Sequence, residues 1–267
     1  MVVGDLNRHA AEQVAEEIRA FGGKAAAKVF DVTDRVAVER AADGAESELG
    51  PLWIWVSNAS VSYIVPFLDC TEGQWERTLR ANLTGAFVGC RTAISRMLPR
   101  GLGVVLNMSS QSGKVGSSQY AAYCASKFGI IGLTESLAVE FADRGIRVNA
   151  LCPGVVMTPL WEGMVDDYAR KRSLKPEEVR PYIEGRIPLR RLCHPEDVAR
   201  YAVFVAGDGH LLSQGQVRGR GARVPDHYQD DAHACGGPGL AGEHPTGGGR
   251  RRDVGSGLAA RPVLNPR

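Results

Sequence analysis

A tyrosine and a lysine four residues apart, Tyr123 and Lys127 in the run YCASK, are the residues of this chain best suited to proton transfer. On an α-helix, residues four apart lie on the same face one turn apart, so the ammonium group can lie beside the phenol. A nearby cation favours the phenolate and lowers a pKa whose reference value is about 10. The pair therefore predicts a phenol that acts as a general acid and base.

Two further polar positions accompany this pair. Ser110 precedes Tyr123 by thirteen positions, with Ser109 as the competing serine, and Asn82 falls beside an apolar stripe on a helix predicted over about 73–98. A buried amide must find hydrogen-bond partners. Asn82 therefore has two interpretations: a structural hydrogen bond to a neighbouring main chain, which its position alone favours, and a role in catalysis.

Short apolar runs alternate with amphipathic stretches from residue 1 to about 206, which predicts an α/β fold with a parallel, doubly wound sheet. Polar or special residues follow the runs, and ligands of such sheets bind beyond the carboxyl ends of the strands, so these residues predict one crevice. They are Asp5, Asp31, Ser57 with Asn58, Ser109 with Ser110, and Pro153 with Gly154. Two helical stripes predict core: Val14, Ile18 and Phe21, and then Ile130, Leu133, Leu137 and Phe141.

A helix-prone insertion over 155–188 interrupts the alternation just after the fifth run. Its position favours a lid over the crevice. The insertion carries three consecutive cations, Arg170, Lys171 and Arg172. They have two interpretations: a solvated helix face, which is favoured, or a contact with a substrate phosphate.

The composition narrows the class of protein and its partners. With 267 residues, 44% of them hydrophobic, the chain can bury the core of one α/β domain. A net charge of +2, with no basic run interleaved with aromatics in the alternating part, argues against nucleic acid, and no apolar span suits a membrane. The six cysteines show no paired spacing, and no hydrophobic leader is present, which predicts a cytoplasmic protein.

The composition changes near the C-terminus, where Gly, Arg and Pro dominate without apolar periodicity. We therefore expect a domain over residues 1–217 and a disordered tail over 218–267. The tail contains His227, His233, Cys235 and His244, but their spacing matches no zinc pattern, so no metal site is predicted.

Taken together, the motifs resemble the short-chain dehydrogenase/reductase family. The resemblance covers residues 1 to about 217. A Tyr-Lys pair alone is a weak signal, whereas four motifs in the right order and spacing are a strong one. It rests on Asn82, Ser110, Tyr123 and Lys127, with NAS at 58–60, FDVTD at 30–34 and PGVVMT at 153–158. It implies a Rossmann-like sheet and hydride transfer between a substrate carbon and a nicotinamide cofactor, since no side chain can carry a hydride.

The resemblance implies a role for each of these four residues. Tyr123 would exchange a proton with the substrate oxygen, and Ser110, selected over Ser109 by the thirteen-residue interval, would hold that oxygen. Lys127 would lower the pKa of Tyr123 and bind the nicotinamide ribose. Asn82 would position a water that passes the proton onward from Lys127.

The resemblance also implies the cofactor contacts. Asp5 would accept hydrogen bonds from the adenosine ribose and repel a 2′-phosphate, so NAD is preferred over NADP, although Arg8 one turn away would soften that preference. Ser60 replaces the usual glycine and would crowd the approach of the backbone to the cofactor. The other implied contacts are Asp31 and Val32 at the adenine, Asn58 and Ala59 at the middle of the cofactor, and Pro153, Gly154, Val156 and Thr158 at the nicotinamide.

The chain departs from the family pattern at both ends. The family begins with a strand, a glycine-rich turn and a helix that faces the pyrophosphate, whereas this sequence starts at what resembles the second strand. The absent strand is central in the order 3-2-1-4-5-6, so we expect unpaired edges between the strand at 1–4 and the strand at 52–56. GQV at 215–217 does not continue into a VDGG turn, so the last strand is doubtful. A late start codon and a shifted reading frame are the hypotheses for these departures.

Three functions follow from the resemblance. The first is NAD-dependent interconversion of a secondary alcohol and a ketone, with a polyol or sugar alcohol as substrate, because the segments around Tyr123 and the lid are similar to sorbitol-type dehydrogenases. The alternatives are a 3-oxoacyl thioester reductase, which usually takes NADP, and a truncated, non-catalytic remnant or interaction module. The long helices at about 73–98 and 119–143 suit a homodimer or homotetramer.

Overall fold

The computed structural model describes residues 1–207 and 217–218, and it has the expected α/β architecture. Every strand pairing among these residues is parallel. The strands are β1 (Val2–Asp5), β2 (Ala26–Val29), β3 (Ile54–Ser57), β4 (Gly103–Met108), β5 (Ile146–Leu151) and β6 (Val217–Arg218). Apart from β6, the expected tail lies outside the described residues.

Helices follow most of the strands, as βαβ units require. The helices are α1 (Arg8–Ala20), α2 (Arg35–Leu49), α3 (Glu72–Leu79), α4 (Gly85–Met97), α5 (Ala121–Phe141), α6 (Pro159–Glu162), α7 (Val165–Arg172), α8 (Pro176–Arg186) and α9 (Pro195–Ala206). Side chains cap several N-termini, for example Asn7 on α1, Asp34 on α2 and Thr71 on α3. The sequence predicted one helix over about 73–98, but a π-helical turn, Arg80–Thr84, separates α3 from α4.

Among the described residues, the strands form two sheets, with unpaired edges at the strands where the sequence predicted them. β1 pairs with β2, and the remaining strands follow the order β3-β4-β5-β6. Within the described residues, the second edge of β1 and the second edge of β3 have no strand partner. Ile54 and Val56 of β3 are about half exposed, at 49% and 48%. Strands of a parallel sheet normally have both faces covered, so the exposure of these two side chains, which point to the same side, marks a face of β3 that is left uncovered.

The last strand, which the sequence left doubtful, is short. Val217 and Arg218 pair in parallel with Ala150 and Leu151 of β5. Within the described residues, this two-residue strand forms one edge of the four-stranded sheet.

One predicted core stripe is wrong and the other is confirmed. Val14 of α1 is 41% exposed, Ile18 is half-buried, and Phe21, which follows α1, is 93% exposed, whereas Ala11 and Ala15 are buried. Alanine lets a helix approach a sheet closely, and here α1 lies against β1 and β2. In α5, Ile130 is buried, and Leu133, Leu137 and Phe141 pack on the core cluster between α4, α5 and the four-stranded sheet.

A buried arginine on the opposite face of β5 holds the end of α9. Arg147 is 6% exposed. Its guanidinium donates hydrogen bonds to the carbonyls of Val205 at 2.7 Å, Ala206 at 2.8 Å and Gly207 at 3.2 Å. The last carbonyls of a helix have no partner within the helix and carry partial negative charge, so a cation stabilises them.

We predict that Arg147→Met lowers the free energy of unfolding by about 2–4 kcal/mol, because it leaves buried carbonyls without a charged donor. Urea unfolding followed by circular dichroism measures this change. The control is Arg35→Met, which removes an exposed pair with Glu39 and should change the free energy by less than about 0.5 kcal/mol. Equal effects of the two substitutions would contradict the anchoring role of Arg147.

Candidate active site

The four predicted catalytic residues come together at the end of β4. Tyr123 and Lys127 lie in the first two turns of α5, Ser110 lies two residues after β4, and Asn82 lies in the π-helical turn before α4. Asn82 and Lys127 are each 1% exposed. The structure therefore brings these four residues to one place, while their catalytic roles stay predictions.

Lys127 places a charge in the protein interior. Its Nζ donates a hydrogen bond to the Met108 carbonyl at 2.8 Å, and it lies 5.4 Å from the centre of the Tyr123 ring. Burial lowers the pKa of Lys127 from 10.5 to about 8, with a small opposing effect of Cys152. The lysine is therefore close to losing its proton in mildly alkaline solution.

The net effect on Tyr123 differs from the sequence-based expectation. Burial raises the pKa of Tyr123 above its ordinary value, and hydroxyl groups of Ser110 and Ser60 oppose this rise. The predicted lowering of this pKa by Lys127 is not seen in this structure. The reason is geometric: the ammonium donates to Met108 rather than to the phenol, and burial is the largest effect.

The two serines after β4 have different roles. Ser109 Oγ donates a hydrogen bond to the Lys127 carbonyl at 2.9 Å, which ties β4 to α5. Ser110 contacts the Tyr123 hydroxyl, and its Oγ accepts a hydrogen bond from the Ser112 N–H at 3.2 Å. Ser110, rather than Ser109, is therefore the serine beside the phenol.

Asn82 holds the main chain of Val61 at both polar groups. Its Oδ1 accepts from the Val61 N–H at 2.8 Å, and its Nδ2 donates to the Val61 carbonyl at 2.9 Å. The same Nδ2 donates to Ser126 Oγ at 3.0 Å, and Ser126 in turn donates to the Tyr123 carbonyl at 2.7 Å. This is the structural role expected for Asn82. Its role with a water stays a prediction.

The sequence did not indicate Ser126 or the position of Ser60 near the phenol. Ser126 lies three residues after Tyr123, so its position within YCASK was the available signal. Ser60 was noted only as a replacement for glycine, yet its hydroxyl lies near Tyr123. A loop residue has no periodicity that shows which way it faces.

The residues predicted for the adenosine half lie at or just beyond the carboxyl ends of β1, β2 and β3. Asp5, Asp31 and Asn58 are exposed there, and Ala59 is exposed as well. Asp5 Oδ1 accepts from the Asn7 N–H at 2.8 Å, and Asp31 Oδ1 accepts from the Thr33 N–H at 2.8 Å. Val32 packs against Gly85, where an added Cβ would lie 2.7 Å from a Val32 methyl group.

The residues predicted for the nicotinamide half form a half-buried segment over 153–158. The Pro153 carbonyl accepts from the Gln111 N–H at 2.8 Å, which joins the segment to the loop that carries Ser110. Val156 forms a β-bridge with Cys193. Thr158 caps α6, with its Oγ1 accepting from the Trp161 N–H at 3.4 Å. Gly154 lies beside Gln111.

These residues fit the two ends of a nicotinamide dinucleotide. Exposed carboxylates suit ribose hydroxyls, and the buried ammonium of Lys127 beside hydroxyl groups suits a second ribose. The turn between β1 and α1 consists of Leu6 and Asn7 and contains no glycine. That turn therefore offers no glycine-rich cradle for a pyrophosphate.

The insertion predicted as a lid packs over the start of α5. Helices α6, α7 and α8 contribute to an apolar group that we term the lid cluster. Its buried members are Ile64, Tyr120, Cys124, Trp161, Tyr168, Ala169, Val179, Ile183 and Leu192, and Tyr123 packs against it. The lid thus shields the side of the phenol that faces α6–α8.

The three cations of the lid are engaged within the protein. Lys171 Nζ donates to Ser117 Oγ at 2.9 Å and lies 4.6 Å from the centre of the Tyr120 ring. Arg172 lies 5.9 Å from the centre of the Tyr168 ring. Arg170 is exposed and pairs with Asp167 at 2.8 Å. The favoured interpretation, a solvated face, fits Arg170, whereas Lys171 fastens the lid to the loop before Tyr123.

Comparison with known proteins identifies the family. A model of the family described as short chain dehydrogenase matches residues 1–169. The chain belongs to the short-chain dehydrogenase family. It is therefore an oxidoreductase, as the resemblance implied.

Two relatives of this short-chain dehydrogenase act on different substrates by name. D-threitol dehydrogenase of Mycolicibacterium smegmatis is 36% identical over 215 residues, which are 79% of this chain and 77% of that protein. The 3-oxoacyl-(acyl-carrier-protein) reductase of Thermotoga maritima is 31% identical over 219 residues, which are 82% of this chain and 85% of that protein.

Solved structures of the family include both nicotinamide cofactors. NAD⁺-bound xylitol dehydrogenase is 30% identical with a TM-score of 0.78, over 82% of this chain and 86% of that one. The actinorhodin polyketide ketoreductase with NADPH is 28% identical with a TM-score of 0.81, over 84% of this chain and 87% of that one. The fold therefore matches, while the choice of cofactor differs among its neighbours.

Two further observations concern membranes and metals. In the part of this short-chain dehydrogenase that the structure describes, no helix is long and apolar enough to span a membrane. Within the same residues, no group of three or more His, Cys, Asp or Glu side chains is placed to hold a metal ion. The histidines and the cysteine of the tail lie outside the described residues.

We predict that the stability of this dehydrogenase relative to its Lys127→Met variant rises by about 3 kcal/mol between about pH 8 and 10.5. The folded pKa of Lys127 is about 8 and the ordinary value is 10.5. At pH values between these two pKa values, Lys127 is protonated in the unfolded chain and neutral in the folded one. The free energy of unfolding therefore rises with pH, by about 1.4 kcal/mol per unit of pKa difference. Urea unfolding of both proteins at several pH values measures this, and a constant difference would contradict the burial of a charged lysine.

Proposed function

We propose that the chain interconverts a secondary alcohol of the polyol or sugar alcohol type and its ketone, with NAD as cofactor. The observation that supports this most is the contact of Tyr123 with Ser110 next to the buried ammonium of Lys127. A phenol, a hydroxyl donor and a cation around one point can hold and protonate a carbonyl oxygen. The names of the D-threitol and xylitol dehydrogenases support the polyol class.

Each group of the site has one task in this proposal. Ser110 donates a hydrogen bond to the substrate oxygen, and Tyr123 exchanges the proton with that oxygen. A bound nicotinamide supplies or accepts the hydride. An ammonium group has three N–H donors. Lys127 uses one of them on Met108 among the described residues, and the others are available for ribose hydroxyls.

The geometry of Asn82 limits how it can assist proton transfer. Its Nδ2 already donates to the Val61 carbonyl and to Ser126 Oγ, so both N–H donors of the amide are engaged. Its Oδ1 accepts from the Val61 N–H and retains one lone pair. A relaying water would therefore donate to Oδ1 or to the Val61 carbonyl.

Asp5 supports the choice of NAD. Its carboxylate is exposed at the end of β1, where the ribose of the adenosine half would lie. A 2′-phosphate at that place would meet a like charge. Arg8 is exposed in the first turn of α1 and is the residue that would favour NADP.

The lid supports an unphosphorylated substrate. Lys171, the most obvious phosphate ligand of the insertion, is held by Ser117 and by the ring of Tyr120. Using it for a substrate phosphate would require breaking these contacts. A neutral polyol has no such requirement.

A second candidate is reduction of a 3-oxoacyl thioester. The relative from Thermotoga maritima and the apolar lid cluster, which could accommodate an acyl chain, favour it. Oxidation of D-threitol or xylitol with NAD, compared with reduction of acetoacetyl thioester with NADPH, separates the two functions. Absence of both activities, together with no increase of NADH fluorescence on binding, would instead support a non-catalytic remnant.

We also propose that the protein forms a homodimer or homotetramer in the cytoplasm. Phe87 of α4 and Phe128 of α5 are nearly half exposed, and Val139 of α5 is 84% exposed. These apolar groups on the two long helices suit an interface between copies. The five cysteines in the described part of the chain are free thiols, which suits a reducing compartment.

We predict that Asp5→Ser lowers the ratio of kcat/KM with NAD to kcat/KM with NADP by at least about tenfold, because removing the carboxylate removes repulsion of the 2′-phosphate. Steady-state kinetics with each cofactor measures this ratio. The matched control is Glu12→Gln, which neutralises an exposed carboxylate on α1 and should leave the ratio unchanged. An unchanged ratio in Asp5→Ser would rule out Asp5 as the selecting residue.

We predict that Tyr123→Phe lowers kcat by about 10²–10⁴-fold, since general acid and base catalysis contributes that range. Single-turnover measurements with saturating cofactor give the rate, and NADH fluorescence gives the Kd, which should change by less than about twofold. Tyr201→Phe is the control, because Tyr201 stacks on Phe204 in α9. A loss of activity that follows a loss of cofactor binding would contradict the role of Tyr123.

A further inference from the structure

The loop after β3 holds a buried hydroxyl that the proposed chemistry does not use. Ser60 Oγ is buried and has no hydrogen-bond partner in the described part of the protein. It nevertheless lies close enough to Tyr123 to favour the phenolate. A buried hydroxyl without a partner is costly, so it indicates a place where another polar group binds.

The position of Ser60 is fixed from both sides of the loop. Asn82 clamps the N–H and the carbonyl of Val61, the next residue. Four residues further on, the Val65 N–H donates to the Gln119 carbonyl at 2.9 Å, just before α5 begins. Ile64 between these anchors is buried in the lid cluster. The loop therefore presents the Ser60 hydroxyl to the start of α5 with little freedom.

Ser60 and Ser110 both lie beside the phenol of Tyr123. Ser110 also makes a hydrogen bond within its own loop, where its Oγ accepts from the Ser112 N–H at 3.2 Å. Ser60 has no such contact. A diol with oxygens on adjacent carbons presents two oxygens about one hydrogen-bond length apart, which matches two hydroxyl donors around one acid and base.

We propose that Ser60 determines substrate specificity by binding the hydroxyl next to the reacting one, so that the site selects vicinal diols over simple secondary alcohols. This inference rests on the proposed function, since Ser110 and Tyr123 hold the reacting oxygen. The substitution of glycine by serine at this position thus adds a ligand for polyols. A glycine there leaves only Ser110 and Tyr123 to hold oxygen.

The first test uses kinetics with NAD on 2,3-butanediol and 2-butanol. Ser60→Gly should lower kcat/KM for the diol about tenfold and change kcat/KM for 2-butanol by less than about twofold. Glycine removes the hydroxyl without adding bulk. The matched control is Ser62→Ala, because Ser62 lies in the same loop with an Oγ that is also buried and unpaired among the described residues. A parallel loss for both alcohols, or an equal effect of Ser62→Ala, would overturn the proposal.

The second test needs no turnover. The absorbance of the phenolate, taken as the difference between the full chain and its Tyr123→Phe variant, isolates Tyr123 from the other tyrosines. Ser60→Ala should raise the titration midpoint of Tyr123, because a hydroxyl that favours the phenolate is lost. Ser62→Ala should not move the midpoint.

The same absorbance reports binding of the alcohols. Half-saturation by 2,3-butanediol should require about tenfold more diol in Ser60→Gly, with 2-butanol unchanged. If the wild type oxidises neither alcohol, the proposed function fails, while the titration and the diol affinity still decide the role of Ser60. An unmoved midpoint together with an unchanged diol affinity would overturn that role.

Discussion

The burial of the Lys127 ammonium is the constraint on which the site depends. A charged group at 1% exposure must be hydrogen-bonded, and its partner is the Met108 carbonyl, the last of β4. The carbonyl of the same lysine accepts from Ser109, one residue beyond β4. Both ends of Lys127 therefore fasten α5 to the end of β4. That attachment places Tyr123, one turn earlier, beside Ser110, one residue after Ser109.

A second set of hydrogen bonds brings in the third element of the site. The π-helical turn before α4 directs Asn82 toward Val61 and Ser126, and Ser126 continues to the Tyr123 carbonyl. The β3 loop, the turn before α4 and the first turn of α5 are thus joined through one buried amide. Such a network is rigid when every member has a partner. It holds the backbone around the phenol while the phenol itself stays available to a substrate.

Features that depend on periodicity or spacing could be predicted from the sequence. The four-residue interval put Tyr123 and Lys127 on one face, and the order of the strands accounted for the separate β1–β2 sheet. Spacing does not show how deeply a group is buried. The rise in the pKa of Tyr123, which burial causes, therefore could not be predicted from the sequence. It also could not show that Val14 and Phe21 would be exposed, because a helix chooses its packing face by close approach and here presents Ala11 and Ala15. The contacts of Ser60 and Lys171 depend on loops, which have no period.

The residues proposed for proton transfer and the residues proposed for cofactor choice lie in different parts of the fold. Asp5 ends β1 and Asp31 follows β2. The proposed catalytic residues lie instead on elements that pack with the four-stranded sheet. Val32 packs against Gly85, directly after the π-helical turn that holds Asn82.

Farther from the site, Arg96 of α4 joins α2 by donating to the Glu39 carbonyl at 3.1 Å and pairing with Asp43 and Glu46. The contact between Val32 and Gly85 lies nearer the site and is close. A Cβ added at Gly85 would lie 2.7 Å from a Val32 methyl group. The loop after β2 and the start of α4 are therefore in direct contact, next to the turn in which Asn82 holds Val61.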